Sequence, residues 1–395
     1  MRGRFVEGRW QYDPTLYAPP RYRRGCTYEA FIPDTLAELP AIAPTVAGTI
    51  SRAEEAIRQL KTVAQPALRP LARLLLRTES IASSKIEGMQ VDARTLARAE
   101  ARSDLGQTIG PEAVEILANI DAMQLALAHA TEADSLTLDH ILVTHAALLA
   151  RAPNASQVAG EIRTEQNWIG GNDYNPCGAA FVPPPPVDVR PLLDDLVDFC
   201  NSETLPPLAQ AAFAHAQFET IHPFADGNGR TGRALVQVVL RRRGIAPDYV
   251  PPISVVLAAD KERYIAGLTD FREARENDWL QSFAAAAARA AELASGYLVS
   301  VQALQQEWRE SLAPLGVRAD AAAWRLIDAL PGHPIISQPV AVAATGRTRP
   351  AVQQAIDQLV ESGVLLPLTS GRRNRQWEAA GLLDLSVDFE TLSAR

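Results

Sequence analysis

Apolar residues recur along most of this chain at a spacing that predicts a mainly α-helical protein. Between Thr49 and Leu76, alanine, isoleucine and leucine return every three or four positions, as they do on one face of a helix. The same spacing covers the ranges 71–86, 111–130, 137–149, 187–201, 205–221, 233–243 and 259–308. Gly88 and Gly244 follow two of these stretches, where helices commonly end.

Two regions depart from the helical spacing. Residues 151–186 contain Asn-Trp-Ile-Gly-Gly, further Asn and Asp residues, and a run of four prolines at 183–186, which is typical of a loop or hairpin. Residues 1–45 are rich in Pro, Tyr, Arg and Gly, and we expect an irregular arm there. The sequence therefore predicts helices interrupted by one hairpin-like insertion.

The C-terminal part predicts a separate small module. Three short amphipathic stretches, at Ala321–Leu330, Pro339–Ala344 and Arg349–Ser362, precede an apolar strand at 364–368 and a basic turn. This order is that of a winged helix, whose second and third helices form a helix-turn-helix. We expect three regions: N-terminal arm and helices at 1–110, a catalytic core at 111–310, and the winged helix at 315–380.

The charge of this module leaves two interpretations open. Its arginines favour contact with DNA, whereas its third helix also carries acidic residues, which favour a protein-interaction or dimerisation module. The arginines are Arg347, Arg349, Arg372, Arg373 and Arg375, and the acidic residues are Asp357 and Glu361.

Composition narrows the class of protein. Of 395 residues, 47% are hydrophobic and 21% charged, as in soluble globular proteins, and the net charge of −8 argues against indiscriminate nucleic-acid binding. Cys26, Cys177 and Cys200 are scattered, so neither a disulfide framework nor a zinc site is expected. Neither a signal peptide nor an apolar run of membrane-spanning length is evident, and we expect a cytoplasmic protein without membrane contact.

The stretch Ile-His-Pro-Phe-Ala-Asp-Gly-Asn-Gly-Arg-Thr-Gly-Arg at 221–233 carries the candidate chemistry. Asp-Gly and Asn-Gly are common hairpin turns, but both flanks have helical spacing, which favours a loop that enters a helix. Backbone N–H groups at such a helix start bind anions. Arg230 and Arg233 are three residues apart and therefore share one helix face, which indicates a polyphosphate.

Two further residues of the stretch complete a nucleotide site. Asp226 would repel phosphate unless a cation lies between them, and Mg2+ binds one or two carboxylates together with substrate phosphates. His222 can accept a proton near neutral pH. Because the stretch holds no side-chain nucleophile, the histidine is expected to activate a hydroxyl of another molecule. A zinc site at His215, Glu219 and His222 is an alternative, although its spacing is not H-E-x-x-H.

At this point the sequence resembles Fic-domain proteins. The stretch satisfies every fixed position of their motif H-x-F-x-[D/E]-G-N-G-R-x-x-R, and the resemblance extends from about residue 30 to about residue 300. Gly160–Arg163 with residues 166–171 resembles the flap of the family, and 181–185 resembles its exit. The resemblance implies a mainly α fold with a Fic-type helical core and a β-hairpin flap. It also implies transfer of AMP from ATP to a Tyr, Thr or Ser hydroxyl of a target protein or of the chain itself.

The resemblance also implies residue roles. His222 would be the general base, and Asp226 would hold Mg2+ against the phosphates. Phe224 would pack beneath the loop. Tyr264 stands where similar proteins place a nucleotide-contacting residue, and a core tyrosine is the alternative. The remaining ATP-binding residues would be Gly227, Asn228 and Gly229 in the anion-binding turn and Arg230 and Arg233 on the distal phosphates.

A second match concerns regulation. Residues 83–88 fit the inhibitory motif [S/T]-x-x-x-E-[G/N] of the family, with Ser83 and Glu87 at its fixed positions. In similar proteins the glutamate pairs with the second motif arginine, here Arg233, and displaces the γ-phosphate. The alternative is a solvated glutamate at a helix end. Some family members with such a glutamate remove AMP instead, so de-AMPylation is a further interpretation.

The expected partners follow from the same reasoning. ATP is the co-substrate, and a target segment would dock on the flap at 165–185 by adding to a hairpin edge. A homodimer is expected because relief of inhibition in similar proteins often follows assembly. The alternative function is a DNA-binding transcriptional regulator whose Fic domain only senses nucleotide.

Overall fold

A computed structural model of the chain describes residues 3–15, 17–37, 39, 41–64, 68–369 and 374–392. The prediction of a mainly helical fold is confirmed. The helices are α1 (Pro44–Ala64), α2 (Leu68–Ile86), α3 (Ala93–Ser103), α4 (Pro111–Glu132), α5 (Leu138–Leu149), α6 (Ala155–Val158), α7 (Pro186–Asn201), α8 (Pro207–Ile221), α9 (Asn228–Arg242), α10 (Ile253–Ala259), α11 (Lys261–Arg272), α12 (Glu276–Leu312), α13 (Ala322–Ala329), α14 (Gln338–Thr345), α15 (Arg349–Glu361) and α16 (Leu382–Leu392). The strands are β1 (Gly3–Trp10), β2 (Cys26–Pro33), β3 (Ile335–Ser337), β4 (Leu365–Pro367) and β5 (Gln376–Ala379).

The chain forms two compact units, each built from separated segments. The first unit comprises Met1–Ser51, Asp121–Arg243 and Glu262–Ala285, and the second comprises Arg52–Ile120, Gly244–Lys261 and Ala286–Arg395. The contiguous division into 1–110, 111–310 and 315–380 stays a prediction.

The core of the first unit is α8. Every residue from Leu208 to Ile221 is buried, and α9 packs along this helix. Most of its residues are apolar or small, and its polar residues, among them His215 and Glu219, are buried as well. Because α8 is fixed on all sides, the loop at 222–227 that leaves its C-terminus starts from a rigid point.

The N-terminal arm is ordered, which corrects the expectation of irregular structure over residues 1–45. β1 and β2 form an antiparallel ladder from Gly3↔Pro33 to Trp10↔Cys26. Phe31 is buried beneath Phe5, and its backbone N–H donates to the Val182 carbonyl. β1 contains Arg and Gly and both strands are only partly buried, so composition alone did not reveal them.

Cys26 and Cys177 form a disulfide, which corrects the expectation that the cysteines stay unpaired. The bond joins the first residue of β2 to the loop at 170–181. The two residues are 151 positions apart in sequence, so no local spacing signals the pair. Tyr22 stacks on Tyr174 beside it, with ring centroids 5.2 Å apart.

Reduction of this disulfide is expected to lower the free energy of unfolding by about 2–4 kcal/mol, because the cross-link restricts the unfolded chain. Thermal unfolding with and without a reductant measures the effect. A Cys26→Ser/Cys177→Ser variant is the control, and its melting temperature should not respond to reductant. Burial raises the pKa of the Cys200 thiol to about 12, so this residue adds no redox response at neutral pH. An unchanged wild-type melting temperature would contradict the prediction.

The predicted β-hairpin flap has less strand structure than expected. Within the described part of 151–186, the antiparallel pairing is the isolated bridge Ile169↔Phe181. Gly170 and Gly171 turn the chain with positive φ. Asn172 accepts hydrogen bonds from the backbone of Tyr174 and Asn175. Such side-chain-to-backbone bonds stabilise a turn and compete with a longer ladder.

The second unit contains α2 and the C-terminal module. Glu79 of α2 is buried and accepts hydrogen bonds from the Ser254 backbone N–H and hydroxyl at the start of α10, at 2.8 and 2.6 Å. In the module, β3, β5 and β4 form an antiparallel sheet in that order. Its three helices match the predicted stretches closely. Arg372 and Arg373 of the predicted basic turn lie outside the described residues.

In the described ranges of the chain, none of the helices has the length and apolar character that a bilayer-spanning segment needs.

Candidate active site

The candidate base, His222, occupies the end of α8 in a left-handed conformation, with φ 48° and ψ 61°. Its backbone N–H donates to the Phe218 carbonyl at 2.9 Å, which closes the last turn. A non-glycine residue in this region costs about 1–3 kcal/mol, so surrounding contacts must hold it. The His222 side chain is 20% exposed and therefore accessible to a small reactant.

Arg163 and Asn167 supply these contacts. The Arg163 Nε donates to the His222 carbonyl at 2.9 Å, and the Asn167 amide donates to the same oxygen at 3.2 Å. Asn167 also donates to the Phe224 carbonyl, and the Arg163 backbone N–H donates to the Pro223 carbonyl. Two residues of the flap region therefore fix the backbone around His222.

Arg163 is a buried cation whose hydrogen bonds fan out to backbone carbonyls. Besides His222, its guanidinium donates to the carbonyls of Pro184 at 2.6 Å and Glu165 at 3.1 Å. Burial lowers its pKa to about 10, so it stays charged at neutral pH. It links the entrance of the flap, its exit and the catalytic loop.

Replacing Arg163 by lysine is expected to destabilise the protein by about 2–4 kcal/mol, because one ammonium cannot reproduce a planar fan of donors. Chemical denaturation of wild type and Arg163→Lys measures the loss. Arg190→Lys is a matched control, since the Arg190 side chain is 62% exposed and pairs with Asp194 in the next turn. Equal losses of stability from the two substitutions would contradict the role of Arg163 in holding the backbone around His222.

Glu219 and Arg272 are two charged residues of the first unit that the sequence did not single out as a pair. The Glu219 carboxylate lies 4.0 Å from His222 Nδ1. The Arg272 guanidinium lies 4.1 Å from the centroid of the Phe181 ring. Burial lowers the pKa of Arg272, and the Glu219 carboxylate opposes that shift. Nδ1 of His222 therefore lies on the side of the Glu219 carboxylate.

The predicted loop leads directly into a helix, as the helical spacing of its flanks indicated. Gly227 has φ 76° and precedes α9, whose first residue is Asn228. The Asn228 amide accepts from the Phe224 N–H at 2.9 Å and donates to the Phe224 carbonyl at 2.8 Å. The loop is thereby closed on itself, and the first N–H groups of α9 are available to an anion.

Arg230 and Arg233 lie in the first turns of α9 and are 3% and 2% exposed. The Asp226 carboxylate is 68% exposed, and its Oδ1 lies 3.7 Å from Arg230. Two guanidiniums, a helix start and one outward carboxylate form a donor set that fits a polyphosphate with a hard divalent cation. Asp226 is the residue that would hold Mg2+.

Tyr264 lies beneath α8 and is 6% exposed. Its hydroxyl is 2.8 Å from His215 Nε2, and the two rings stack. This arrangement is that of a core tyrosine. A contact between Tyr264 and nucleotide stays a prediction to which this geometry adds no support.

Ser83 and Glu87 lie at the end of α2, in the second unit. Ser83 is fully buried, whereas Glu87 is exposed in the turn after the helix, where its N–H donates to the Ser84 carbonyl. The residues between them are held within this unit, because Lys85 pairs with Glu390 at 2.5 Å and the Ile86 carbonyl accepts from Lys261. The pairing of Glu87 with Arg233 stays a prediction.

A cleft of about 1030 Å3 opens beside the catalytic loop in the first unit. Ala225 of the loop lines it together with flap residues from 156–158, 161–168 and 170–173. Part of the predicted docking range 165–185 therefore borders a cavity that also reaches Ala225 of the loop.

Comparison with known proteins agrees with this geometry. Residues 135–240 match the Fic/DOC family. Residues 48–128 match the Fic/DOC family N-terminal model, which covers Ser83 and Glu87. The Fic/DOC match contains His222 and the whole anion turn and ends before Tyr264.

Two relatives and one solved structure illustrate the likeness. The chain is 35% identical over 144 residues to Protein adenylyltransferase fic-1 of Caenorhabditis elegans, which is 36% of this chain and 26% of the relative. It is 34% identical over 171 residues to Protein adenylyltransferase Fic of Drosophila willistoni, which is 41% and 32%. A Fic family protein from Desulfovibrio desulfuricans superimposes with a TM-score of 0.52 at 21% identity, covering 87% of this chain and 98% of that one. The chain thus spans about a quarter to a third of the curated relatives it matches, and the structural likeness shows the fold alone.

Proposed function

We propose that the chain is a protein adenylyltransferase that moves AMP from ATP to a protein hydroxyl. The observation that carries the proposal is the stretch at 222–233, which comprises the loop and the start of α9. It presents a histidine in a held left-handed conformation, an outward carboxylate and two buried arginines at a helix start. The similarity to two proteins named as adenylyltransferases supports the identity of the transferred group.

The reaction assigns a task to each group. The target hydroxyl oxygen forms a bond to the α-phosphorus, the bond to the bridging oxygen of the β-phosphate breaks, and diphosphate leaves. His222 takes the hydroxyl proton at Nε2, because Nδ1 faces Glu219. Arg230, Arg233 and the start of α9 hold the distal phosphates. Mg2+ held by Asp226 would neutralise charge that develops on the phosphate oxygens.

The flap cleft is the proposed docking surface for the target. Its position beside Ala225 would bring a bound segment next to His222. The residues at 165–185 would form backbone hydrogen bonds with an extended peptide. Such binding depends on the shape of the peptide backbone more than on its sequence. Modification of the chain itself is the second source of a hydroxyl.

We further propose that Glu87 inhibits the enzyme by competing with the γ-phosphate for Arg233. A single buried guanidinium cannot bind a carboxylate and a phosphate equally well at once. A homodimer is the proposed state in which this inhibition is relieved. De-AMPylation of a modified target is the reverse use of the same site.

The segment 315–380 is proposed to be a winged helix-turn-helix. The order of α13, β3, α14, α15, β4 and β5, with β5 central in the sheet, supports this. After the first turn of α15, its exposed residues are Gln354, Asp357 and Glu361. Acidic groups on that face would repel DNA phosphates, so we favour a protein partner, and the DNA-binding regulator is the less supported alternative.

The cytoplasm stays the proposed location. The Cys26–Cys177 disulfide is of a kind that reducing compartments disfavour, so the oxidation state of this pair in cells bears directly on the proposal.

The test uses ATP labelled on either the α- or the γ-phosphate, incubated with Mg2+, wild type and a lysate. We expect protein-bound label from α-labelled ATP, none from γ-labelled ATP, and one diphosphate released per AMP transferred. Transfer of γ-label would indicate a kinase. Specific, salt-sensitive DNA binding without transfer of either label would establish the regulator instead.

A further inference from the structure

His145 of α5 is a fully buried histidine whose two ring nitrogens both meet backbone groups of the first unit. The Gly160 N–H donates to Nδ1 at 3.0 Å, and Nε2 lies 2.9 Å from the Asp226 carbonyl. Because Nδ1 accepts, the ring proton is on Nε2 and is donated to Asp226. One tautomer therefore satisfies both contacts.

The same ring also supports the catalytic loop by stacking. Its plane lies against the Phe224 ring with centroids 3.6 Å apart and an angle of 3°. Phe224 is fully buried, and Asn228 binds its backbone from within the loop. His145 and Asn228 thus hold the loop from outside and from inside.

The contact to Asp226 has a directional consequence. With its carbonyl hydrogen-bonded inward to His145, Asp226 carries its carboxylate outward, where the side chain is 68% exposed. The second contact ties this point to Gly160, three residues before Arg163, which clamps His222. The His145 ring is therefore connected to three parts of the site: the Asp226 carboxylate, the His222 base and the entrance of the flap.

We propose that His145 is a positioning residue for AMP transfer, which fixes the Asp226 backbone so that its carboxylate is held ready for a divalent cation on the nucleotide phosphates. This inference rests on the proposed function, since it concerns the same nucleotide site. Removal of a group that orients a metal ligand typically lowers metal affinity by about 10- to 100-fold. A histidine that only filled the core would affect stability and leave the Mg2+ requirement unchanged.

The experiment separates the two contacts of the ring. His145→Gln can place an amide donor near the position of Nε2, and His145→Asn can place an acceptor near Nδ1, whereas His145→Leu keeps neither. Each is made in a Glu87→Gly/His222→Ala background, so that bound ATP is not consumed, and ATP binding is measured by calorimetry with and without Mg2+. His129→Gln is the matched control, because the His129 ring lies against that of His140 in the same unit, with centroids 4.9 Å apart, and has no described contact with the loop.

We expect His145→Leu to weaken the Mg2+-dependent part of ATP binding by about 10- to 100-fold, with little change in binding without Mg2+. His145→Gln should recover most of this loss, and His145→Asn should recover little. Equal recovery by both, or an unchanged Mg2+ dependence, would overturn the proposal. If the leucine variant fails to fold, the comparison of the glutamine and asparagine variants decides alone.

A second readout does not depend on nucleotide. In wild type, ring 15N shifts should show a protonated Nε2 and an unprotonated Nδ1 for His145, and the Gly160 amide should exchange slowly. The Gly160 amide should stay protected in His145→Asn and lose protection in His145→Leu. A doubly protonated ring or an unprotected Gly160 amide in wild type would overturn the assignment.

The outcomes distinguish this inference from the proposed function. A lowered Mg2+ dependence without any AMP transfer by the Glu87→Gly enzyme would uphold the positioning role and refute the transferase. AMP transfer whose Mg2+ dependence is unchanged by substitution of His145 would refute the positioning role and leave the proposed function standing. An absence of Mg2+-dependent ATP binding would refute both.

Discussion

Replacement of His222 by alanine is expected to lower AMP transfer by about 10²- to 10⁴-fold, the usual contribution of a general base. The protein should still bind ATP, because the phosphates are assigned to α9 and its arginines. The reason is chemical: the loop offers no second group at the position of His222 that could take the proton of a target hydroxyl.

Label from α-labelled ATP, measured over initial time points, checks this expectation. His140→Ala serves as the control, since His140 caps α5 away from the loop and should reduce transfer little. Calorimetry on both variants separates lost chemistry from lost binding. Transfer that survives His222→Ala undiminished would falsify the mechanism.

Replacement of Glu87 by glycine is expected to raise AMP transfer by about 5- to 150-fold, the range of a typical coupling free energy between two competing ligands. Glu87 is exposed at the end of α2, so its loss should not disturb the core. Removing the carboxylate leaves Arg233 to the γ-phosphate, which places ATP for transfer.

Glu87→Gln is the matched variant, because it keeps the shape and removes the charge. It should raise transfer as well, by less than glycine if the amide still contacts the arginine. Adding His222→Ala to Glu87→Gly should return transfer to background. If neither Glu87 variant raises transfer, inhibition by this residue is refuted. If both instead slow removal of AMP from a modified target, the de-AMPylation interpretation is correct.

The helices were largely predictable, because their apolar spacing reports the buried face directly. The ends of α7 and of the buried α8 lie within one or two residues of the ends of their predicted ranges. α3 was missed although Asp92 accepts from the Thr95 N–H as an N-cap, because its helical residues are mostly small or charged. β1 and β2 were missed because their pairing joins segments 15 residues apart and neither strand alternates cleanly.

The residues of the candidate site also divide into those that local sequence could predict and those that it could not. The residues at 222–233 could be found from sequence because a helix start places them together locally. His145, Arg163 and Asn167 act on that loop from 55 to 81 positions away, and each looks like an ordinary core or loop residue in sequence. The Cys26–Cys177 bond was wrongly excluded for the same reason, since sequence spacing does not measure distance across a folded unit.

The last described helix has a practical consequence for anyone who trims this protein. Glu390 of α16 pairs with Lys85, two residues before Glu87, and also accepts from the Ala93 N–H at the start of α3. Burial raises the pKa of Glu390, and Lys85 opposes that shift. A chain cut after residue 380, or one with a bulky C-terminal tag that displaces α16, would remove the ion pair between Lys85 and Glu390. Rates from such a shortened protein would describe a chain in which the end of α2 has lost a contact, so an untagged chain of residues 1–395 is the proper reference for every assay above.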